Sequence, residues 1–230
     1  MKTIGLIGGL SWESSVVYYR LINELVREKL GGTHSAKSIM YSVDFADFEK
    51  LQHQGEWDKL TELMIAAGLR LKNGGADFIV ICTNTMHKMA DAVESQVGIP
   101  VLHIADAAAA EVKKRGLRKV ALLGTKFTME EDFYKDRLAK NHGIEVVIPV
   151  QAEREVIHSV IYRELVLGKT LESSRNQFVK IIQNGQKLGA EGVVLGCTEI
   201  PLLISQKDSN IPIFDTTQIH AAAAVEFALK

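Results

Sequence analysis

The chain has 230 residues, of which 47% are hydrophobic, and its formal net charge is −1. The 27 basic and 28 acidic side chains nearly balance, so we expect neither nucleic acid nor an anionic membrane as a partner. No apolar run approaches the roughly 20 residues that span a bilayer, and the N-terminus lacks the pattern of a signal peptide. We therefore expect a soluble cytoplasmic protein with one large domain or two small ones.

The only two cysteines are Cys82 and Cys197. A structural disulfide is not expected in the reducing cytoplasm. The seven histidines show no spacing that would complete a metal site with the cysteines, so we expect no bound metal. Composition alone favours two buried apolar thiols, since free cysteine is among the most buried residue types. Their positions in the chain favour a different interpretation.

Short β-like runs alternate with amphipathic helical patterns along the whole chain. Most of the runs are continuous Val, Ile and Leu, which is typical of parallel strands covered on both faces. The runs lie at 3–8, 38–45, 77–82, 100–104, 119–124, 145–150, 192–197 and 212–215. Helical stripes begin near Tyr18, Leu60, Val156 and Phe178. Strands that alternate with helices predict parallel α/β sheets.

Three sequence blocks of the first half recur in the same order in the second half. KTIGLIGG resembles RKVALLGT, GADFIVICTNT resembles GAEGVVLGCTEI, and IPVLHIADA resembles IPIFDTTQI, at offsets of 112 to 116 residues. The repeat predicts an α/β fold of two pseudo-symmetric, four-stranded parallel-sheet domains that face each other across a cleft. We expect a first domain at 1–115 and a second at 116–216, with the C-terminal helix at 217–230 packed onto the first.

Each cysteine ends the third strand of its half. Ligands bind at the carboxyl ends of strands in open parallel sheets, so facing halves place the two thiols on opposite sides of one small pocket. Such a pair suits racemisation, in which one group removes a proton from one face of a carbon and the other returns a proton to the opposite face. A thiolate is needed, and helix N-termini predicted at 83–92 and 198–203 are expected to lower the pKa of each thiol.

The turns beside the cysteines and after the first strand of each half supply candidate groups that could hold a carboxylate. They are Gly9, Leu10, Thr83, Asn84, Thr85, Thr125, Thr128, Thr198 and Glu199. Glu199 could instead bind an ammonium group or relay a proton. Turn formation or helix capping explains any single Thr or Gly equally well. His87, five residues after Cys82, either tunes that thiol or lies at a helix cap or surface.

Three motifs together carry a family resemblance: IGLIGGLSWESS (4–15), CTNTMH (82–87) and GCTEI (196–200). They resemble the aspartate/glutamate racemase family, in particular its aspartate racemase and broad-specificity amino-acid racemase branch. The resemblance implies two α/β domains, a homodimer, and racemisation by two cysteines without pyridoxal phosphate or another cofactor. Cys82 and Cys197 match the catalytic positions, and Leu10 and the Thr, Asn and Glu residues of the turns match positions that contact the substrate.

Substrate choice is the point at which the resemblance becomes less specific. Aspartate-specific members hold the distal carboxylate with basic side chains, whereas Gln52 lies near one such position here. A glutamine cannot reproduce the bidentate Arg–carboxylate pair, so a longer or uncharged polar substrate fits as well as aspartate or glutamate. The predicted function is a cofactor-independent racemase that interconverts L- and D-amino acids. The alternatives are a hydantoin racemase or a maleate isomerase-like or decarboxylase-like enzyme of the same superfamily, a non-catalytic protein that binds small metabolites, and a redox pair.

Overall fold

The computed structural model describes every residue from Met1 to Lys230. Its strands are β1 Ile4–Gly8, β2 Ser38–Ser42, β3 Phe78–Ile81, β4 Val101–Leu102, β5 Lys119–Gly124, β6 Glu145–Val147, β7 Gly192–Gly196 and β8 Ile213–Asp215. Its α-helices are α1 Trp12–Leu30, α2 Phe45–Gln54, α3 Trp57–Asn73, α4 Ala90–Val97, α5 Ile104–Lys114, α6 Lys126–Glu130, α7 Asp132–Asp136, α8 Gln151–Arg163, α9 Glu172–Lys187 and α10 Thr216–Leu229. Shorter helices lie at Thr85–Met89, Arg137–Asn141, Leu165–Leu167, Ile200–Leu202 and Gln206–Asp208.

The strands form two parallel sheets of the same topology. The strand order is β2-β1-β3-β4 in the first sheet and β6-β5-β7-β8 in the second. The predicted α/β fold with two four-stranded parallel sheets is therefore confirmed. Each sheet places its first and third strands side by side, so the turns after β1 and β3 share one edge, as do the turns after β5 and β7.

Contacts divide the chain into two compact units. The first unit comprises Met1–His103 together with His220–Lys230, and the second comprises Ile104–Ile219. The sequence placed the boundary at 115/116, whereas the contacts place it before Ile104. The physical reason is packing, because α5 lies against the second sheet. The C-terminal part of α10, from His220 onward, belongs to the first unit.

The first sheet is covered on both faces, as its continuous apolar strands predict. Helices α3 and α4 pack on one face through a cluster that includes Met64, Val93 and Ile81. Helices α1 and α10 pack on the other face, which buries Tyr18, Cys82 and the small side chains of α10. The alanines of α10 allow the helix to approach the sheet closely. Cys82 therefore lies on the face that α1 and α10 cover.

The second sheet is covered in the same way. Helices α8 and α9 pack on one face through a cluster that includes Ile157, Phe178, Leu195 and Cys197. Helix α5 covers the other face, together with buried side chains from the segment that precedes β6. Burying apolar surface on both faces contributes roughly 25 cal/mol per Å² to stability, which is why these strands carry almost no polar residues. No helix of the chain combines the length and the apolar character needed to cross a membrane.

Candidate active site

The turn after β1 is shaped by Gly9 and closed by the first residues of α1. Gly9 has a φ of 81°, and a Cβ atom there would lie 2.1 Å from the carbonyl oxygen of Val43. Its N–H donates to Ser15 Oγ at 2.8 Å. Ser11 caps α1 by accepting from the N–H of Ser14 at 3.4 Å. Leu10 is buried in the apolar core of the first unit. Only glycine fits at position 9, because Ser42 at the end of β2 and Val43 after it leave no room for a side chain.

Cys82 follows β3 directly and is completely buried. Its N–H donates to the carbonyl of Ile7 at 3.0 Å, so the backbone stays on the sheet up to the thiol. Its carbonyl accepts a hydrogen bond from Ser14 Oγ at 3.1 Å, which joins this turn to the first turn of α1. Burial raises the pKa of the Cys82 thiol far above its ordinary value. The thiol is therefore protonated at neutral pH in the unliganded protein.

The segment after Cys82 is a tight 3₁₀ turn that precedes α4. Asn84 and Thr85 are buried, whereas Thr83 is half-buried. His87 is also buried, and its Nδ1 donates to the carbonyl of Thr83 at 2.7 Å. His87 is therefore not at the surface, and it binds the backbone beside the thiol; its influence on the thiol stays a prediction.

Cys197 follows β7 and contacts a carboxylate. Its Sγ donates to Glu199 Oε2 at 3.0 Å, and Thr198 Oγ1 donates to the same oxygen at 2.9 Å. The other carboxylate oxygen, Glu199 Oε1, is buried without a hydrogen-bond partner. Burial raises the pKa of the Cys197 thiol, and the negative charge and hydrogen bond of Glu199 raise it further. The N–H groups of Glu199 and Ile200 act in the opposite direction but are outweighed.

The expectation that helix N-termini lower both thiol pKa values was wrong. The helices that follow the cysteines are short 3₁₀ turns at Thr85–Met89 and Ile200–Leu202, so their dipoles are small. Burial in an apolar core destabilises a thiolate, and this effect dominates at both cysteines. Both thiols are consequently protonated until something else, such as a bound cation, stabilises the thiolate.

The two cysteines are not at equivalent strand positions, which corrects the sequence repeat. In the first sheet Ile7 pairs with Ile81, and in the second Leu123 pairs with Leu195. Cys82 directly follows Ile81, the residue that pairs with Ile7. In the second sheet, Gly196 separates Cys197 from Leu195, the residue that pairs with Leu123. Side chains alternate between faces along a strand, so one extra residue places the second thiol on the opposite face of its sheet.

Thr125 and Thr128 form the turn after β5. Thr125 caps α6, because its Oγ1 accepts from the N–H of Thr128 at 3.3 Å, and the two hydroxyl oxygens are 3.2 Å apart. Both side chains are buried. The capping explanation is therefore correct for Thr125, and any contact of either residue with a substrate stays a prediction.

Gln52, the residue that the sequence associated with substrate choice, lies in α2. It is 2% exposed, and its Nε2 has no hydrogen-bond partner. An unpaired buried amide costs about 1 to 3 kcal/mol, so a ligand with an acceptor atom would be stabilised there. No group of three or more His, Cys, Asp or Glu side chains is arranged to hold a metal ion.

Sequence reasoning missed a buried cluster behind the Cys82 turn. The ring of His87 packs against the rings of His103 and His220, with centroid distances of 4.7 Å and 5.5 Å. Tyr18 Oη lies 2.9 Å from Nδ1 of His220. Tyr18 lies in α1, His87 in the 3₁₀ helix Thr85–Met89 and His220 in α10, and His103 directly follows β4, so no local sequence pattern indicates the cluster. Ser14 was also missed, although it lies in the quoted motif.

The sequence as a whole matches one known family. The family model described as Asp/Glu/Hydantoin racemase matches residues 7–224. The chain belongs to this family. Its named relatives include the broad specificity amino-acid racemase RacX of Bacillus subtilis, which is 24% identical over 96% of both chains. The enzymes that share the family name are racemases, which are isomerases, and membership supports racemase activity.

Solved structures of the racemase family share the fold over the full length. A candidate Asp/Glu racemase from Yersinia pestis is 50% identical, with a TM-score of 0.94 and complete coverage of both chains. An aspartate racemase homologue from Pyrococcus horikoshii OT3 is 39% identical, with a TM-score of 0.86 and complete coverage of both chains. The two-sheet architecture is thus a property of the racemase family.

Proposed function

We propose that this protein is a cofactor-independent amino-acid racemase that uses Cys82 and Cys197 as its two acid/base groups. One observation carries the proposal: each unit places a buried free thiol directly after the third strand of a parallel sheet. Ligands bind at such strand ends, and the racemase family membership gives the reaction class. In this proposal the thiols act from opposite sides of the substrate.

The proposed reaction exchanges one proton for another at Cα. One cysteine, as thiolate, removes the α-hydrogen, and the other, as thiol, donates a proton to the opposite face of the carbanion. The roles exchange when the opposite enantiomer reacts. Because burial keeps both thiols protonated, the thiol that acts as the base must first release its proton to solvent, and the bound substrate ammonium group stabilises the thiolate that remains.

The polar groups beside the thiols would bind the common part of an amino acid. Glu199 Oε1 is a buried carboxylate oxygen without a partner, which makes it a candidate acceptor for the substrate ammonium. The turn residues Gly9, Asn84, Thr85, Thr128 and Thr198 are candidates for the α-carboxylate. Of these, Thr198 already donates to Glu199, which orients the carboxylate.

The substrate side chain would meet Gln52 rather than a guanidinium group. Its unpaired Nε2 is a neutral donor, so it accepts aspartate, glutamate and uncharged polar side chains without the preference that arginine imposes. We propose a broad set of amino acids as substrates. A hydantoin racemase is the second candidate, because the matching family description includes hydantoins. We further propose that the enzyme is a cytoplasmic homodimer.

The test is racemisation of a panel of L- and D-amino acids and of hydantoins, without pyridoxal phosphate. Activity of the wild-type protein should be accompanied by exchange of the α-hydrogen with solvent deuterium. Cys82→Ser and Cys197→Ser should each lower racemisation by about 1,000-fold or more, because each removes one of the two acid/base groups. Cooperative urea unfolding of each variant serves as the control. Full racemisation by either variant would exclude the two-cysteine mechanism.

A further inference from the structure

Two consecutive backbone carbonyl groups, those of Cys82 and Thr83, accept hydrogen bonds from side chains. The carbonyl of Cys82 accepts from Ser14 Oγ at 3.1 Å. The carbonyl of Thr83 accepts from His87 Nδ1 at 2.7 Å. Both donor side chains are buried. The chain thus fixes the backbone of this turn from two sides, one from α1 and one from the 3₁₀ helix.

Holding these carbonyls also orients two N–H groups. A carbonyl oxygen and the next N–H belong to one planar peptide unit and point in opposite directions. Ser14 therefore fixes the direction of the Thr83 N–H, and His87 fixes the direction of the Asn84 N–H. These are the first backbone donors after Cys82, and their direction decides whether they can serve a ligand at this strand end.

The hydrogen bond to Thr83 assigns the tautomer of His87. A carbonyl oxygen only accepts hydrogen bonds, so Nδ1 of His87 must carry the hydrogen. Its Nε2 is then unprotonated, and it is buried without a hydrogen-bond partner. Burial, and secondarily the nearby His103, lower the pKa of His87 well below 6.5. His87 is therefore a neutral donor to the backbone at neutral pH.

A second histidine with an assigned tautomer packs against His87. Nε2 of His220 lies 2.8 Å from the carbonyl of Leu102, so it carries the hydrogen, and Nδ1 then accepts from the hydroxyl of Tyr18 at 2.9 Å. Burial lowers the pKa of His220 to about 3. The titratable groups that face His87 are thus His103 and His220, with Tyr18 behind His220, and they hold its ring in place.

We propose that His87 is a positioning residue for Cys82: as a neutral ring protonated on Nδ1, it holds the Thr83 carbonyl and, with Ser14, fixes the turn that follows the thiol. The inference rests on the proposed function, in which Cys82 reacts with the substrate. The second cysteine has no histidine at the corresponding position. The residue five positions after Cys197 is Leu202, which is 48% exposed, and Cys197 instead contacts Glu199 directly.

The first test compares two amides at position 87. The Nδ2 of His87→Asn takes about the place of Nδ1 and can still donate to Thr83, whereas His87→Gln places its amide near Nε2 and cannot. We expect H87Q to lose about 10- to 100-fold in kcat with a smaller change in KM, because a misplaced catalytic group slows the chemical step. H87N should restore most of this loss. Equal activity of H87Q and wild type, or equal loss in both variants, would overturn the inference.

The pH profile separates positioning from proton transfer. The profile of kcat in H87N should keep the shape of the wild-type profile, since a neutral donor does not titrate in the working range. A limb of the profile that disappears in H87N would show that His87 itself transfers a proton. That result would overturn the positioning role.

Two further readouts do not depend on racemisation. The ¹⁵N NMR spectrum of the wild-type protein should show His87 protonated on Nδ1 and His220 protonated on Nε2; protonation of His87 on Nε2 alone would contradict the inference. In the C197S protein, H87Q should change the rate at which iodoacetamide alkylates Cys82 several-fold. In the C82S protein, H87Q should leave alkylation of Cys197 unchanged, and an equal change at both thiols would overturn the inference.

These readouts distinguish the two possible failures. If the wild-type protein racemises no substrate while the tautomer and alkylation results hold, the proposed function fails and the contact between His87 and the Cys82 turn stands. If wild type racemises and H87Q is as active, the proposed function stands and His87 has no positioning role.

Discussion

At the scale of single residues, the two thiols differ in what surrounds them. Cys82 has only apolar burial and a backbone fixed by Ser14 and His87, whereas Cys197 donates directly to the Glu199 carboxylate. The carboxylate favours the thiol form of Cys197. Burial and Glu199 together hold Cys197 in its protonated form, whereas burial alone holds Cys82 in that form.

Removing the charge of Glu199 should make the Cys197 thiolate easier to form. In the C82S background, Glu199→Gln should lower the pKa of Cys197 by about one unit or more, because a neighbouring anion no longer opposes the thiolate. The ultraviolet absorbance of the thiolate, followed against pH, measures this shift. Glu172→Gln, at an exposed position of α9, is the matched control. An unchanged or raised pKa in E199Q would show that the carboxylate does not control this thiol.

The turn after β1 depends on the absence of a side chain at position 9. Gly9→Ala should lower the free energy of unfolding by about 2 kcal/mol or more, since the residue has a φ of 81° and its Cβ would overlap the Val43 carbonyl. Urea unfolding measures the change. Gly55→Ala is the control, because Gly55 has a φ of 73° but open space around it, so it should cost only about 1 kcal/mol. An equal loss of unfolding free energy in Gly9→Ala and Gly55→Ala would show that the contact with Val43 is unimportant.

At the scale of elements, the sequence predicted the strands well and the turns less well. Apolar runs located all eight strands, and β5 begins and ends as predicted, because a strand buried on both faces needs such a run. The segments after the cysteines were predicted as helices and are 3₁₀ turns. The form of these turns depends on contacts such as the hydrogen bond between His87 and the Thr83 carbonyl. Hydrophobic periodicity and composition do not indicate such contacts.

The docking of α10 through His220 should make the protein sensitive to acid. Burial lowers the pKa of His220 from about 6.5 to about 3, so between these values the unfolded chain binds a proton that the folded chain does not. The free energy of unfolding should therefore fall as the pH drops through this window. His220→Gln keeps a donor for the Leu102 carbonyl but does not titrate. Its slope against pH should be smaller than that of wild type, by at most about 1.4 kcal/mol per pH unit.

Urea unfolding across this pH window measures the slopes. His34→Gln, at an exposed position, is the control for removing one histidine. Identical slopes for H220Q and wild type would show that His220 titrates alike in the folded and unfolded chains. A steeper slope for H220Q would contradict the sign of its pKa shift.

At the scale of the whole molecule, the two sheets have the same strand order, but the helices that cover them come from different places in the chain. Helix α5 follows β4 yet packs on the second sheet, and the C-terminal part of α10 follows β8 yet packs on the first. The repeat predicted that the C-terminal helix packs on the first domain. It could not indicate which sheet α5 covers, because an amphipathic stripe specifies that a face is buried and not which partner buries it.

Deletion of His220–Lys230 should destabilise the first unit more than the second. The deletion removes Ala221, Ala224, Val225 and Ala228 from the cluster that covers the first sheet, whereas every member of the second unit remains. Amide hydrogen exchange should show protection lost in β1 and β3 and retained in β5 and β7. Ala224→Asp, which buries a charge in the same cluster, should act in the same direction, and exposed Glu226→Ala is its control. Equal loss of protection in both sheets would contradict this division.

The sequence by itself determined the fold class, the two sheets, the positions of both thiols after their strands and the family, because apolar periodicity, an internal repeat and short motifs are local features. Only the tertiary structure decided the thiol pKa values, the one-residue offset between Cys82 and Cys197, and the histidine cluster behind Cys82. These features depend on burial, on strand register and on side chains distant in the chain, such as Tyr18 and His220. The physical reason is that desolvation and packing are properties of the assembled core, which no single segment of the chain specifies.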